Sequence, residues 1–315
     1  MRKNINEEHI EGRVFQHSLE VKVSGPASKN PGTQYISGNL DIAVDEEGLN
    51  VITVHFTYVT EITKKGGKNQ TFGVLKKIID EPTRTWVASG KDNAFKVKVD
   101  TALGLNDFWS DDNTQVSVKR NEGGFVSFVN ELIEEENKRN IFTMDMVITR
   151  VTRVEADPER GIEEDYVKLG GAVFNFRNDL LPVEFFVRNE TGMNYFESLE
   201  ASSTNPVYTK LWGRIMNQII KTEIVEESAF GDSFVVPKEK STREWLVTGV
   251  AKIPYDFGDE AVMTREELTT AMQNREIHWA DVKRNQEEYR AAKAAQTAQP
   301  VVSTPPMMKN TDFSF

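Results

Sequence analysis

The stretch "LNVITVHFTYVT" (49–60) alternates so regularly that few backbones can hold it. Ile52, Val54, Phe56 and Tyr58 fall on one side of an extended chain, and Thr53, His55 and Thr57 on the other, the period of two that side chains follow along a β-strand. Such a strand buries one face and wets the other, which favours an antiparallel sheet covered on a single side. Two stretches of the same kind precede it, "GRVFQHSLEVKV" and "TQYISGNLDIAV", joined by the loop-forming "SGPASKNPG", and "DEEG" turns the chain into the third. The result is a three-strand meander.

A second meander follows in "IFTMDMVITRVTRVEA", "DYVKLGGAVFNF" and "LLPVEFFVRN". Shifted by 131 residues, Tyr35 falls on Tyr166, Ile42 on Val173, Ile52 on Val183 and Val54 on Phe185. Two octets, "TRTWVASG" (83–90) and "TREWLVTG" (242–249), then read as matching late strands of two similar units. "TFGVLKKII" and "AFKVKV" read as further strands of the first unit, and "TEIVEE", "SFVV" and "REWLVTGVAKI" finish the second. Helical spacing of Phe125, Phe128, Val129, Leu132 and Ile133 predicts a closing helix in "GGFVSFVNELIEEENKRN". Asn205, Pro206 and the four-residue spacing of Val207, Leu211, Ile215 and Ile219 predict another in "TNPVYTKLWGRIMNQIIK". Phe174 and Phe176 share one face of "GAVFNF" and read as core.

Beyond 258 the chain changes character. Thr264 and Glu267 form a capping box that opens a helix rich in Ala, Glu, Lys and Arg, and "QTAQPVVSTPPMMKN" has the Pro, Gln, Ser and Thr content of a linker that does not pack.

A meander, a helix between the third and fourth strands and a returning pair of strands is the order of an OB-type barrel. The segment Ile141–Phe257 matches it best. The expected fold is mainly β with some α: tandem OB-like small antiparallel barrels at 1–140 and 141–258, a helical extension at 259–296 and a disordered tail at 297–315. Other antiparallel barrels and sandwiches fit the same pattern. A chain of 315 residues has room for two such units.

Catalytic signatures are scarce. The four histidines (His9, His17, His55, His278) are widely separated with no second metal ligand at i+4, and no cysteine exists for thiolate or disulfide chemistry. "KKGGKNQ" lacks the spacing of a phosphate-cradling loop, and no GxSxG elbow occurs. Acid pairs such as Asp111–Asp112 and Glu163–Glu164 sit in polar loops, as solvated surface does. The expectation is a protein without enzymatic activity, cofactor or metal.

Binding remains. The net charge of −11 argues against a polyanion partner, yet residues 61–98 carry nine Lys/Arg against four acids, whereas 255–290 carry nine acids against five bases. Single-stranded nucleic acid asks for a basic groove along the phosphates and aromatic rings under the bases. Lys64, Lys65 and Lys68 on a Gly-Gly loop, with Lys76, Lys77 and Arg84, suit the first task; Tyr58 and Trp86 suit the second, with Arg243 and Trp245 as counterparts in the second unit. A tryptophan in a strand is more often core than platform, and Tyr58 shares its strand's apolar face, so both roles stay open here.

The terminal "NTDFSF" adds a resemblance. A globular body, a Pro/Gln-rich linker and an acidic-aromatic tip resemble the layout of bacterial and phage single-stranded DNA-binding proteins, whose last residues dock on partner replication and repair proteins. The resemblance implies a partner-docking role for Asp312, Phe313 and Phe315, although one acid stands where that family has a cluster and Lys309 precedes it. It implies single-stranded DNA and replication or recombination proteins as partners; the size, with two units, suits a phage-encoded chain, the absence of cysteine fits the host cytoplasm, and a homo-oligomer stays open. No apolar run reaches the roughly 20 residues that span a bilayer. The competing reading is a β-rich structural or virion assembly protein with no affinity for nucleic acid.

Overall fold

The computed structural model describes residues 4–26, 28–226, 234–258 and 263–297. Its elements in chain order are β1 (Asn6–His17), β2 (Glu20–Val23), β3 (Gln34–Ala43), β4 (Val51–Thr60), α1 (Gln70–Asp80), α2 (Trp86–Ser89), β5 (Lys96–Trp109), β6 (Gln115–Phe128), β7 (Asn140–Val154), β8 (Tyr166–Phe174), β9 (Leu180–Val187), α3 (Glu190–Ser198), β10 (Val207–Glu226), β11 (Phe234–Val250) and α4 (Arg265–Thr297).

The strand pairings close on themselves twice. In the first unit β1 pairs with β3, β3 with β4, β4 meets β6 in a short parallel contact at Val54 and His55, β6 pairs with β5, and β5 returns to β1. The second unit repeats the circuit as β7–β8–β9, a parallel contact of Phe186 with Leu246 on β11, then β10 and back to β7. α1 and α3 stand at the same place in the two circuits, between the third and fourth strands. Both halves therefore have the OB-like order that the sequence suggests, with β2 as an extra edge strand on β3. The two first strands, β1 and β7, pair antiparallel with Glu8 opposite Phe142, so all eleven strands belong to one sheet.

Alternation explains the interior. On β4 Ile52, Val54 and Phe56 are buried while Thr53 and His55 are half-buried. The phase then slips: Val59 turns to the core, and Tyr58 is 45% exposed, its ring 4.5 Å from that of Tyr35. Tyr58 thus leaves the apolar face that simple alternation assigns to it. Apolar side chains of both circuits merge into one cluster, from Ile10, Leu40 and Val97 to Phe142, Leu169 and Phe185.

Several local expectations are corrected. "GGFVSFVNELIEEENKRN" is no α-helix: β6 runs on to Phe128, Phe125 is 80% exposed, and a single 3-10 turn at Glu136–Lys138 follows. "TNPVYTKLWGRIMNQIIK" is no helix either: from Val207 on it lies in β10, paired with β7 and β11. "TFGVLKKII" is α1, capped by Asn69, whose side chain accepts from Thr71 N, and it buries Thr71, Phe72, Leu75 and Ile78. The second helix is α3, capped in the same way by Asn189 with Gly192 N at 2.7 Å. Phe174 is core as expected, whereas Phe176, two residues on, is 74% exposed because the chain turns at Asn175–Asp179.

The octets are not equivalent. Trp86 begins the short helix α2 and packs half-buried against Phe15, over the "DEEG" turn whose Gly48 has φ 72°. Its indole lies 3.2 Å from where a Gly48 Cβ would sit, so the turn and the tryptophan require glycine there for two separate reasons. Trp245 instead lies in β11, 1% exposed. The internal likeness resides in the meanders and the circuits.

The final strand pair of each unit reaches the other unit. On β10, Asn217 N donates to Asn50 Oδ1 at 2.9 Å, and its side-chain amide donates to Val51 O at the start of β4. On β6, Lys119 Nζ donates to Glu184 O of β9 at 2.6 Å. α4 spans both units. It begins with the expected capping box, Thr264 N to Glu267 Oε2 at 2.9 Å and Glu267 N to Thr264 Oγ1 at 3.2 Å. Ala271 and Leu268 cover a small cluster around Phe174 and Tyr208 of the second unit. Farther along, Arg275 forms a two-pronged ion pair with Asp107 at 2.7 Å, and the Gln286 amide grips the backbone N and O of Trp109, both on β5. The tail from 298 on, with Asp312, Phe313 and Phe315, lies outside the described residues.

Candidate nucleic-acid interface

Where the units clasp, two adjoining concavities of about 370 and 780 Å³ share Lys119 and Arg243. The first lies between the outer side of β4 (Thr53, His55), β6 (Lys119, Arg120) and the second unit's Asn217 and Arg243. The second continues over the outer side of β8 and β9, past Gly170, Gly171, Glu184 and Phe186, to Arg150 on β7. Four cations, Lys119, Arg120, Arg150 and Arg243, line them against one carboxylate, Glu184. Arg150 is paired with Glu184 at 2.5 Å and Arg120 with Glu122 at 3.1 Å, so the lining carries a net positive charge on a chain of net charge −11.

Aromatic surface accompanies the charge. Phe186 is half-buried on the cleft floor, 5.8 Å from Tyr166, over which Arg188 lies at 5.1 Å while it grips Glu244 with two hydrogen bonds. On the first unit, Tyr35 and Tyr58 continue the outer face of β3 and β4 away from His55. His55 Nδ1 lies 2.7 Å from Asn39 Oδ1, and burial together with the Arg120 charge pushes its pKa down, so at neutral pH it is a neutral hydrogen-bonding group.

Beneath the cleft sits the junction that sets its shape. Trp245 Nε1 donates to Glu8 Oε1 at 2.9 Å, and Thr101 Oγ1 donates to Glu8 Oε2 at 2.7 Å. Burial outweighs these bonds and raises the Glu8 carboxyl to about 7. Lys119 lies over the indole, 4.6 Å from its centroid, and burial lowers its ammonium to about 8 despite the pull of Glu184 and Glu244. The two groups act on stability in different pH windows. Glu8 holds its proton in the folded chain while the unfolded carboxyl releases it, so folding stability falls as pH rises from 4.5 to about 7. The expected loss is about 3 kcal/mol at about 1.4 kcal/mol per pH unit. Lys119 adds stability only as pH climbs beyond about 8. Glu8→Gln, which keeps a partner for Trp245 and Thr101, is expected to flatten the pH 4.5–7 dependence and to exceed the parent in stability at pH 7.5; urea titrations across that range read both. An unchanged slope would remove Glu8 as its source.

The residues singled out by sequence disperse. Lys64, Lys65 and Lys68 are exposed on the loop beyond the far end of β4 from the cleft. Lys76 pairs with Asp80 on α1. Lys77 and Arg84 meet near Phe95, away from the cleft. Tyr58 joins the outer face, Arg243 lines the cleft, and Trp245 supports it from the core without exposing a stacking face. Sequence reasoning missed Lys119, Arg120, Arg150 and Phe186. Arg150 is an exposed and Phe186 a half-buried position on their strands, while Lys119 and Arg120 are adjacent on β6, so alternation singles out neither of them.

Among the described residues no group of three His, Asp or Glu side chains is placed to hold a metal ion, and no helix is long and apolar enough to cross a membrane. Fold and cleft together define a mainly β, OB-like protein with a basic groove between two units. The YorF family profile matches residues 4–285, and the chain belongs to the YorF family. Among solved structures it is similar to a deletion mutant of the single-stranded DNA binding protein from Thermus aquaticus, with 13% identity over 82% of this chain and 100% of that chain and a TM-score of 0.46. It is also similar to a replication protein A heterotrimer bound to single-stranded DNA, with 9% identity over 85% of this chain and 69% of that chain and a TM-score of 0.22. No curated protein matches.

Proposed function

We propose that the chain binds single-stranded DNA without catalysing a reaction on it, in the cleft between its two units. The observation that carries this reading is the convergence of Lys119, Arg120, Arg150 and Arg243 around Phe186, with Glu184 the one carboxylate among the lining residues. Phosphates need the cations, and unstacked bases need the ring. OB folds present oligonucleotide-binding surface on their second and third strands; here the third circuit strands β4 and β9 supply His55 and Phe186, while β6, β7 and β11 supply the cations. The wider reading is a phage-encoded replication or recombination protein whose terminal Asp312, Phe313 and Phe315 recruit partner proteins; its support is the layout of linker and tip.

Fluorescence anisotropy with a labelled oligo-dT tests the core of this. Binding is expected at low salt and to weaken with a log–log slope near −3, about −0.7 for each of four contacted phosphates. A duplex of equal length is expected to bind more weakly, because its bases cannot reach Phe186. No binding at low salt, or equal affinity for the duplex, would refute the proposal.

A further inference from the structure

At the other end of β6 the molecule holds a second cationic concavity that the cleft does not explain. It measures about 400 Å³ and is lined by Lys77 from α1, Arg84 from the following loop and Lys96 from β5, over the rings of Phe95 and Phe128. These rings are 4.8 Å apart and form a rigid floor. The Arg84 guanidinium lies 4.1 Å above Phe95, and Lys77 Nζ lies 5.5 Å from the Phe128 centroid. Cation–π contact holds both heads at the rim of the concavity.

Their donors are largely unspent. Glu81 is the carboxylate near both Lys77 (3.9 Å) and Arg84 (3.7 Å), beyond hydrogen-bond range of each. Arg84 Nε makes a long 3.4 Å bond to Asn93 O, and Lys96 Nζ donates to Asn130 O at 3.2 Å. Asp92 is the acid on the lining itself. Three cations held in place, with weak partners and a planar donor fork among them, match the oxygens of a phosphate group.

We propose that Lys77, Arg84 and Lys96 form a phosphate-binding site separate from the cleft, which takes a backbone phosphate of the strand that the cleft holds. Nine residues of β6 separate Lys119 from Phe128, about 30 Å at the rise of a strand, so only a long oligonucleotide reaches both sites. Two linked contacts raise affinity through effective concentration. The strand as ligand rests on the function proposed above. The phosphate chemistry does not, because inorganic pyrophosphate can probe it alone.

The test compares the full chain with Arg84→Ala/Lys96→Ala and with Arg243→Ala. Isothermal titration with pyrophosphate is expected to show a site that the double variant loses and Arg243→Ala keeps. With oligo-dT of about 40 nucleotides the double variant is expected to bind about tenfold more weakly than the parent, with a salt slope shallower by about 0.7, for the one lost phosphate contact. With about 10 nucleotides, a length within one OB unit's footprint, it is expected to bind as the parent does. Pyrophosphate binding lost in the double variant, with parental affinity for the long oligonucleotide, would overturn the strand as ligand in favour of a free phosphate compound. Parental behaviour towards both probes would overturn the site. If the parent binds no oligonucleotide at all, the function proposed above fails while the pyrophosphate result still decides whether phosphate binds here.

Discussion

Replacing Trp245 by alanine is expected to lower the stability of the folded chain by about 4 kcal/mol, among the largest effects of any single substitution. The indole is 1% exposed in the common core, and truncating a fully buried tryptophan costs about 3–5 kcal/mol in transfer and cavity terms. The Nε1 donor leaves with it, so Glu8 keeps only Thr101 as a side-chain donor, and Lys119 loses the face over which it lies. Trp245→Phe separates the contributions. It retains most of the packing and is expected to lose about 1–2 kcal/mol. Because the indole hydrogen bond holds the Glu8 pKa down, this variant is also expected to push the upper end of the acid-side stability window above pH 7. Urea unfolding at several pH values reads both results. A loss below about 1 kcal/mol for the alanine variant would contradict the burial of Trp245 between the units.

The second large effect falls on binding. Arg120→Glu/Arg243→Glu reverses two charges in the cleft and is expected to weaken oligo-dT binding at least 100-fold near 0.1 M salt, about 2.7 kcal/mol. Neither side chain is in the core: Arg243 is exposed, and Arg120 is half-buried and paired with the exposed Glu122. The variant is therefore expected to unfold at the parental urea concentration, which separates lost contact from lost structure. The charge-reversed loop, Lys64→Glu/Lys65→Glu/Lys68→Glu, is expected to act less strongly, because the loop lies beyond the end of β4. If the loop variant weakened binding more than the cleft variant, the path of the strand would have to run along Tyr35 and Tyr58 instead of Phe186.

The sequence was most legible where one face of a strand meets the core. The meander of β3 and β4 and its echo in β8 and β9 could be aligned by eye, because Ile52, Val54 and Phe56 on one strand and Val183, Phe185 and Val187 on the other must all point inward. The helices failed for a physical reason. Val207, Leu211, Ile215 and Ile219 are spaced by four, and four is both near one helical turn and a multiple of the strand period. Long-range pairing to β7 and β11 decided the matter, and local spacing carries no information about it. The reverse held for α1, where Phe72, Leu75 and Ile78 follow the helical period in a segment short enough to pass for a strand. Phe125, Phe128 and Val129 have helical spacing, yet Val126 is the one that faces the core and its strand neighbour Phe125 faces out. The cleft was less legible still. Arg120 and Arg243 meet across 123 positions of chain, and only closure of both strand circuits puts them in one place.

The reciprocal clasp has a consequence for the order of assembly. Glu8 and Trp245 are hydrogen-bonded across 237 residues, so during synthesis the first unit is on hand long before the strand that completes its junction. Until β11 arrives, Glu8 lacks the indole donor of Trp245, and until β10 arrives the start of β4 lacks the amide of Asn217. Loop closure over so long a separation is slow. Because both circuits build one shared core, that core is complete only when the chain's late strands lock onto its earliest one.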